Sequence, residues 1–382
     1  MRQSLMRFVA LALLISTSTT AFNGCGSPGK KVTVINNPSE SVYNSNLRVI
    51  KTVDIGQYWR GFDWISEDRF LLVKQYVDLE QGKNAVRPED SYDIYSLASI
   101  GLKASDPLRS LEEIKKGDKE IGFMKASPGS SRIFFVEGTD YNLPNGVAKI
   151  LNHLEVVTAI QSNPVKLRTG TWVDYDTIAF VTRAGGEKIK ESVCLYNFDG
   201  TKTVLTPKEG YISDVNSFGG ILYYITVGTE EIRNEVIAYD SKTGKQRIII
   251  DVPQAPFVQK IFPSPRGDRL ALLMSGTNKK TGQYESTLLI TDLDGNQKLQ
   301  VKSSSMFTAS WTPDGKGILY ERRTTPESAT DGIYLLDVNS GGSTLIELTD
   351  KVPTEYSWSP SGKKLLISKY RTQYETTVVY FD

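Results

Sequence analysis

His153, Cys25 and Cys194 are the only imidazole and thiols in the 382-residue chain. So few soft donors exclude zinc sites built from four thiolates or from paired thiolates and imidazoles, a histidine-rich metal centre and a disulfide framework. His153 falls in Lys149–Val157, which alternates like a strand, with no Ser or Cys constellation beside it. A histidine so placed reads as structural rather than as a general base. Cys194, in the alternation Ser192–Phe198, reads as a small buried hydrophobe. No Gly-x-Ser-x-Gly, P-loop or dinucleotide fingerprint occurs, and Asp292-x-Asp294-Gly295 lacks the later glutamate of a calcium loop. Lys and Arg number 45 against 44 Asp and Glu, so there is no polybasic footprint for nucleic acid. Recognition remains, and Tyr, Trp and Arg are the residues that most often carry it. The candidate binding residues are Trp59, Arg60, Tyr76, Tyr141, Arg183, Tyr284, Arg322, Arg323 and Arg371, with Lys279, Lys280, Tyr370 and Tyr374 beside them. The arginines come from separate parts of the chain and would suit a carboxylate-bearing partner segment.

The elements that must position these residues recur. Trp311-Thr-Pro-Asp-Gly-Lys-Gly-Ile-Leu-Tyr320 matches Trp358-Ser-Pro-Ser-Gly-Lys-Lys-Leu-Leu-Ile367. Pro263–Leu272 and Ala126–Phe135 are further copies, and Trp64–Val73, Trp172–Val181 and Val215–Tyr224 are shorter ones without the proline. The landmarks at 64, 126, 172, 215, 263, 311 and 358 lie 62, 46, 43, 48, 48 and 47 residues apart. Each copy reads as a strand, a tight Pro/Gly turn, a β-branched and aromatic strand, a polar loop, a third strand, an Asp-Gly or Ser-Gly turn and a fourth strand. Four antiparallel strands per repeat is the arithmetic of a propeller blade.

The Trp-Ser-Pro-Asp/Ser-Gly-Lys phrase resembles the repeat of TolB-type periplasmic propellers, distant relatives of WD-repeat propellers. The resemblance covers residues 47–382 and implies an all-β, seven-bladed propeller of four-stranded antiparallel blades, with six or eight blades as alternatives. It implies envelope assembly as a context, although the amino-terminal domain of that family is not found here. The last copy ends at Asp382 after three strands, so Leu47–Asp54 is expected to supply the fourth by pairing with Val378 and Val379. Within each copy the second-to-third loops are the long ones, at roughly 74–91, 137–147, 183–191, 228–235, 275–286, 321–331 and 369–375. They open on one elaborated face, opposite the tight turns, and the candidate binding residues belong to it. One segment breaks the β pattern: Asp106–Lys116 reads as a short helix, with Pro107 near its start and Gly117 as its stop.

The amino terminus has a basic start, Met1–Arg7, and an apolar run, Phe8–Ile15. Eight residues cover about 12 Å of a roughly 30 Å hydrocarbon layer, which is a secretory signal rather than a span. Phe22-Asn-Gly-Cys25 resembles a bacterial lipobox, which implies cleavage before Cys25 and a diacylglycerol on its thiol. Ordinary cleavage after Ala21 is the other reading. The expected organisation is a signal peptide over 1–24, a lipidated Cys25 with a flexible tether to residue 46, and one propeller over 47–382. The expected function is binding of an envelope protein or peptide by a secreted, lipid-anchored propeller, with no nucleic-acid partner and no cofactor. A lactone- or carbohydrate-directed enzyme with a divalent metal held by carboxylates at the propeller axis is the alternative.

Overall fold

The structure, a computed structural model, describes residues 33–35, 47–74, 95–99, 112–117, 121–138, 145–152, 156–184, 190–207, 210–228, 233–253, 256–278, 281–323, 331–371 and 373–382. Among them every regular element is a strand. In chain order these are β1 (Thr33–Ile35), β2 (Val49–Gln57), β3 (Trp59–Ser66), β4 (Arg69–Lys74), β5 (Tyr95–Ser99), β6 (Glu112–Gly117), β7 (Ile121–Ala126), β8 (Arg132–Gly138), β9 (Asn145–Asn152) and β10 (Val156–Trp172). There follow β11 (Thr177–Ala184), β12 (Lys190–Asn197), β13 (Lys202–Leu205), β14 (Tyr211–Phe218), β15 (Ile221–Val227), β16 (Arg233–Asp240), β17 (Gln246–Pro253), β18 (Phe257–Pro263) and β19 (Arg269–Thr277). The last are β20 (Tyr284–Asp292), β21 (Gln297–Ser303), β22 (Ala309–Trp311), β23 (Gly317–Arg322), β24 (Gly332–Asp337), β25 (Ser343–Leu348), β26 (Val352–Trp358), β27 (Lys364–Tyr370) and β28 (Tyr374–Phe381).

Strands consecutive in sequence pair antiparallel, giving the meanders β3–β6, β14–β17, β18–β21 and β22–β25. The fourth strand beside β26–β28 comes from the other end of the chain. β2 lies antiparallel on β28, with Thr52 opposite Val379 and Val53 opposite Val378. β7 to β13 form one seven-stranded sheet because β10 is shared. Its Val156–Lys166 part pairs with β9 and its Gly170–Trp172 part with β11. β10 thus serves as last strand of one meander and first strand of the next. β1 adds to the free edge of β21, parallel to it.

Buried apolar side chains gather where neighbouring sheets face each other. Ala271, Leu288 and Val301 pack on Trp311, Ile318 and Tyr334, and Ile55 and Val378 pack on Trp59, Trp64 and Phe70. A second strand has such a neighbour on both faces. Ile133, Phe134, Phe135 and Val136 are accordingly all buried, and the sequence there is a continuous apolar run rather than an alternation. At roughly 1.5–3 kcal/mol per buried large side chain, these clusters outweigh any single polar contact between sheets.

The tryptophans of the repeat join sheets. The indole N–H of Trp311 donates to Phe262 O at 2.9 Å, that of Trp172 to Lys125 O at 3.1 Å, and that of Trp64 to Ser357 O at 2.8 Å. The Trp64 bond joins the amino-terminal meander to the carboxy-terminal one. The same seam carries Gly61 N donating to Ser368 Oγ at 2.7 Å and Thr376 Oγ1 donating to Trp59 O at 2.8 Å. First strands touch in the order β3, β7, β10, β14, β18, β22, β26, and β26 touches β3.

Three expectations are corrected. Glu112–Gly117 is not helical but β6, paired with β5, with Ser99 opposite Glu112 and Tyr95 opposite Gly117. An open fourth position in the sheet overrides the local helical pattern; residues 106–111 lie outside the described residues. Lys149–Val157 is not one strand: β9 ends at Asn152 and β10 begins at Val156, and His153 lies outside the described residues. The repeat landmark in β14 is Ser217 rather than Val215. Ser217 stands opposite Leu222, as Trp311 stands opposite Ile318, which brings the flanking spacings to 45 and 46 residues.

Candidate functional site

First strands line the axis, and in most of them the register slips by a residue before the tight turn. The slips fall at Val258/Lys260, Pro353/Glu355, Ile212/Val215 and Gly61/Trp64. A β-bulge re-aims the residue it displaces. Here the residues at or within the slips include Lys260, Glu355 and Asp214, which bring charge together from three sheets, and Asp63, which bonds the two neighbouring first strands.

These charges compensate one another. Arg60 is almost fully buried, and its Nε and Nη2 donate to the Glu355 carboxylate on β26. Its Nη1 and Nη2 donate to the carbonyls of Ile121 and Gly122 on β7, each at 3.3 Å. The guanidinium lies 4.4 Å from the Phe62 ring centroid and 5.0 Å from that of Tyr374. Burial is the largest influence and would raise the Glu355 carboxyl, but the charge and hydrogen bonds of Arg60, with Thr354 and Lys260, together outweigh it and hold the group below its usual range. Lys260 acts on both Glu355 and Asp214. Asp214 Oδ2 accepts from Ile261 N at 3.0 Å, and burial pushes this carboxyl up to about 6 against the pull of Lys260 and Lys166. Lys166 donates to Ile212 O at 2.5 Å and lies 3.5 Å from Glu191, whose other oxygen accepts from Arg183 Nε at 2.7 Å. Asp63 accepts from Ser357 Oγ at 2.7 Å and from Ala126 N at 3.1 Å, and burial raises its pKa.

These contacts join neighbouring sheets. Among the described residues no group of three or more His, Cys, Asp or Glu side chains could hold a metal ion. The axial carboxylates already accept from N–H groups, a hydroxyl, lysines and an arginine, which a cation would have to displace. The described donor set therefore does not fit a divalent-ion centre. Cys194 is buried, and burial raises its thiol pKa, so it is not a poised nucleophile.

The elaborated face looks different. Tyr211 and Phe257 open β14 and β18, and Phe307 precedes β22 by two residues. These equivalent ends belong to three adjacent sheets, and the rings are 39%, 36% and 49% exposed. Tyr284, at the same end of β20, is 54% exposed. Lys166 lies 5.6 Å from the Tyr211 ring centroid, so the aromatic rim runs directly into the axial charges.

The residues expected from sequence fall into separate places. Trp59 and Arg60 are buried at the seam, and Tyr374 packs beneath Arg60. Arg183 belongs to the Lys166–Glu191 group. Arg322 stacks on Tyr334 at 4.9 Å. Arg323 pairs with Glu321 and donates to Asp350 O at 3.3 Å, while Arg371 pairs with the Asp350 carboxylate. Asp350 thus brings Arg323 and Arg371 together, beside an open cleft of about 440 Å³ that Asp331, Glu347, Lys351 and Lys369 help to line. Burial pushes the Glu321 carboxyl up to about 7 against Arg323. Tyr284 is exposed at the start of β20. Cys25, Tyr76, Tyr141, Lys279 and Lys280 lie outside the described residues. The sequence reading missed Tyr211, Phe257 and Phe307. Their signal is an aromatic residue at the start of a first strand, ahead of the polar residue that enters the axis.

No protein-family model matches the chain, and no curated protein sequence matches it. Solved structures do. An oligogalacturonate lyase in complex with manganese is similar at 10% identity and a TM-score of 0.61, over 88% of this chain and 96% of that one. A chain of the mitotic checkpoint complex is similar at 14% identity and a TM-score of 0.51, over 90% of this chain and 97% of that one. Both are β-propellers, and this chain is an all-β protein of that fold. One neighbour is an enzyme and the other part of a protein assembly, so fold alone assigns no activity.

Proposed function

We propose that the chain is a secreted, lipid-anchored propeller of seven blades, closed by its amino-terminal strand, which binds a protein or peptide of the cell envelope on its elaborated face. The blade count rests on the cyclic order of first-strand contacts and on β10 serving two meanders. Closure rests on the pairing of β2 with β28. The observation that carries the binding reading is the exposed rim of Tyr211, Phe257 and Phe307 at the mouth of an axis where Arg60 and Lys166 already pair with Glu355 and Glu191. Rigid aromatic rings on adjacent sheets supply contact area at little conformational cost, and buried aromatic anchors commonly contribute about 2 kcal/mol or more each. A metal-dependent lactone or carbohydrate enzyme would need donors that the described axis does not offer.

The test is affinity capture from a solubilised envelope with the full chain as bait. Replacing Tyr211, Phe257 and Phe307 together with Ser should reduce the captured partner at least tenfold. Replacing Val204 and Ile248, exposed apolar residues on outer strands, should leave it unchanged. Full capture by the triple variant would overturn the assignment of the rim.

A further inference from the structure

The free edge of a propeller sheet is a row of unpaired backbone groups, and on β21 that row is in use. Thr33, Val34 and Ile35 stand opposite Leu299, Gln300 and Val301 in a parallel pairing. These three residues belong to the segment that the sequence reads as a free tether. We propose that the outer edge of β21 is a strand-addition site for the tether, and that this docking turns the tight-turn face toward the membrane and the elaborated face away from it. The orientation half rests on the lipid-anchor reading above; the docking half does not.

The direction of β1 carries the argument. β20 runs from the elaborated face at Tyr284 to the tight turn at Asp292, and β21 runs back, from Gln297 to Ser303. Because β1 is parallel to β21, the chain enters Thr33 from the tight-turn side. Thr33 lies eight positions beyond Cys25, a stretch that spans at most about 28 Å. Thr33 sits opposite Leu299, four residues short of Ser303 and so roughly 13 Å below the elaborated end. To anchor with the elaborated face down, the tether would first have to reverse. A tight turn uses four residues, and the four left reach about 14 Å, which presses that face onto the bilayer. With the tight-turn face down no reversal is needed. Leu299 is only two residues above Gln297, about 7 Å, so roughly 21 Å of slack remains. Without docking, the whole stretch from Cys25 to Val49 would be free, and a flexible chain of that length, roughly 27 Å root-mean-square, would fix no orientation.

Two measurements on the full-length acylated protein in phospholipid vesicles test this. In the first, Val34→Cys is combined with Gln300→Cys, its register partner, or with Lys298→Cys, two residues off. Mild oxidation should cross-link the first pair at least tenfold more than the second, and equal or absent cross-linking overturns the docking. Cys194 stays in place, since it is buried. In the second, fluorophores on Asp294→Cys and Tyr284→Cys, at opposite ends of β20, meet a spin label on the lipid headgroup. Quenching should be at least threefold stronger at position 294. Quenching equal or stronger at position 284 overturns the orientation. If the unsubstituted protein fails to stay with the vesicles while the 34–300 cross-link forms, the anchor reading falls and takes the orientation with it, and the docking stands.

Discussion

Arg60 joins three sheets, and its removal should be costly in a pH-dependent way. The residue sits on β3, bonds Glu355 on β26, and donates to two carbonyls of β7, all with 3% of its surface exposed. Arg60→Met keeps an unbranched stem over Phe62 but removes the charge and leaves Glu355 without its partner. Removing one member of a buried pair costs about 3–5 kcal/mol. The Glu355 side chain is 24% exposed, so the low end applies, about 3 kcal/mol. With a urea slope of about 3 kcal/mol per M, the unfolding midpoint should fall by roughly 1 M. The pH dependence is the sharper check. In the parent protein Glu355 is held below its usual range, so the pair's contribution is present above the unfolded-state pKa and fades as pH falls through the lower folded value. In Arg60→Met, burial without the cation raises that carboxyl instead, so the folded state takes up a proton that the unfolded state does not hold. The gap between the two proteins should therefore narrow steadily from about pH 7 to about pH 4. Paired urea melts at both ends of that range and at its middle measure it. A midpoint change under about 0.2 M, or a loss that does not vary with pH, refutes the role of Arg60 as a charged clamp.

Three further outcomes follow from the same geometry. Asp214, with its carboxyl raised to about 6, makes the folded state bind the extra proton, so its contribution declines as pH rises from about 4 to about 6; Asp214→Asn should flatten that part of the stability profile in pH-dependent denaturation. Trp64→Phe removes the N–H that reaches Ser357 O and should cost about 1–3 kcal/mol in urea melts; an unchanged midpoint would show that the bond is not made. Deleting residues 47–54 uncovers the ladder edge of β28, and light scattering should show aggregation; a deletion protein that melts like the parent would refute the β2–β28 pairing.

Much of this architecture is legible because turns and tryptophans are local signals. Trp-x-Pro-x-Gly demands a tight turn whatever surrounds it, and the loops between second and third strands declare themselves by length. The elements that escape a reading of the sequence depend on partners distant in the chain. Glu112–Gly117 carries a helical pattern, and only the empty edge of β5 makes it a strand. Val215 passes for a landmark because the bulge between Ile212 and Val215 shifts the register, and a bulge leaves no residue signature. The candidate arginines stand out by type and loop position, yet the carboxylates that engage Arg60, Arg183 and Arg371 are Glu355, Glu191 and Asp350, which lie on other strands or in another loop. The strand made by Thr33–Ile35 escapes a reading of the sequence because a β-branched run this short, flanked by lysines and asparagines, carries no period.

The same bulges separate the groups that hold the sheets together from the rim proposed to bind a partner. Apolar clusters between sheets supply most of the folding energy, but they lie away from the axis, where first strands converge and side chains share little room. A charge placed there must be matched or be strongly penalised. Arg60 with Glu355 and Lys166 with Glu191 are matched across or within neighbouring sheets, and Asp214 meets the remaining cost by a raised pKa. A ligand entering the axis would have to break such pairs. A ligand resting on the rim would not, because Tyr211, Phe257 and Phe307 hold their rings partly exposed at the ends of the strands. The cost of disrupting the fold thus protects the axis, and the proposed binding surface lies on the rim, where no such cost arises.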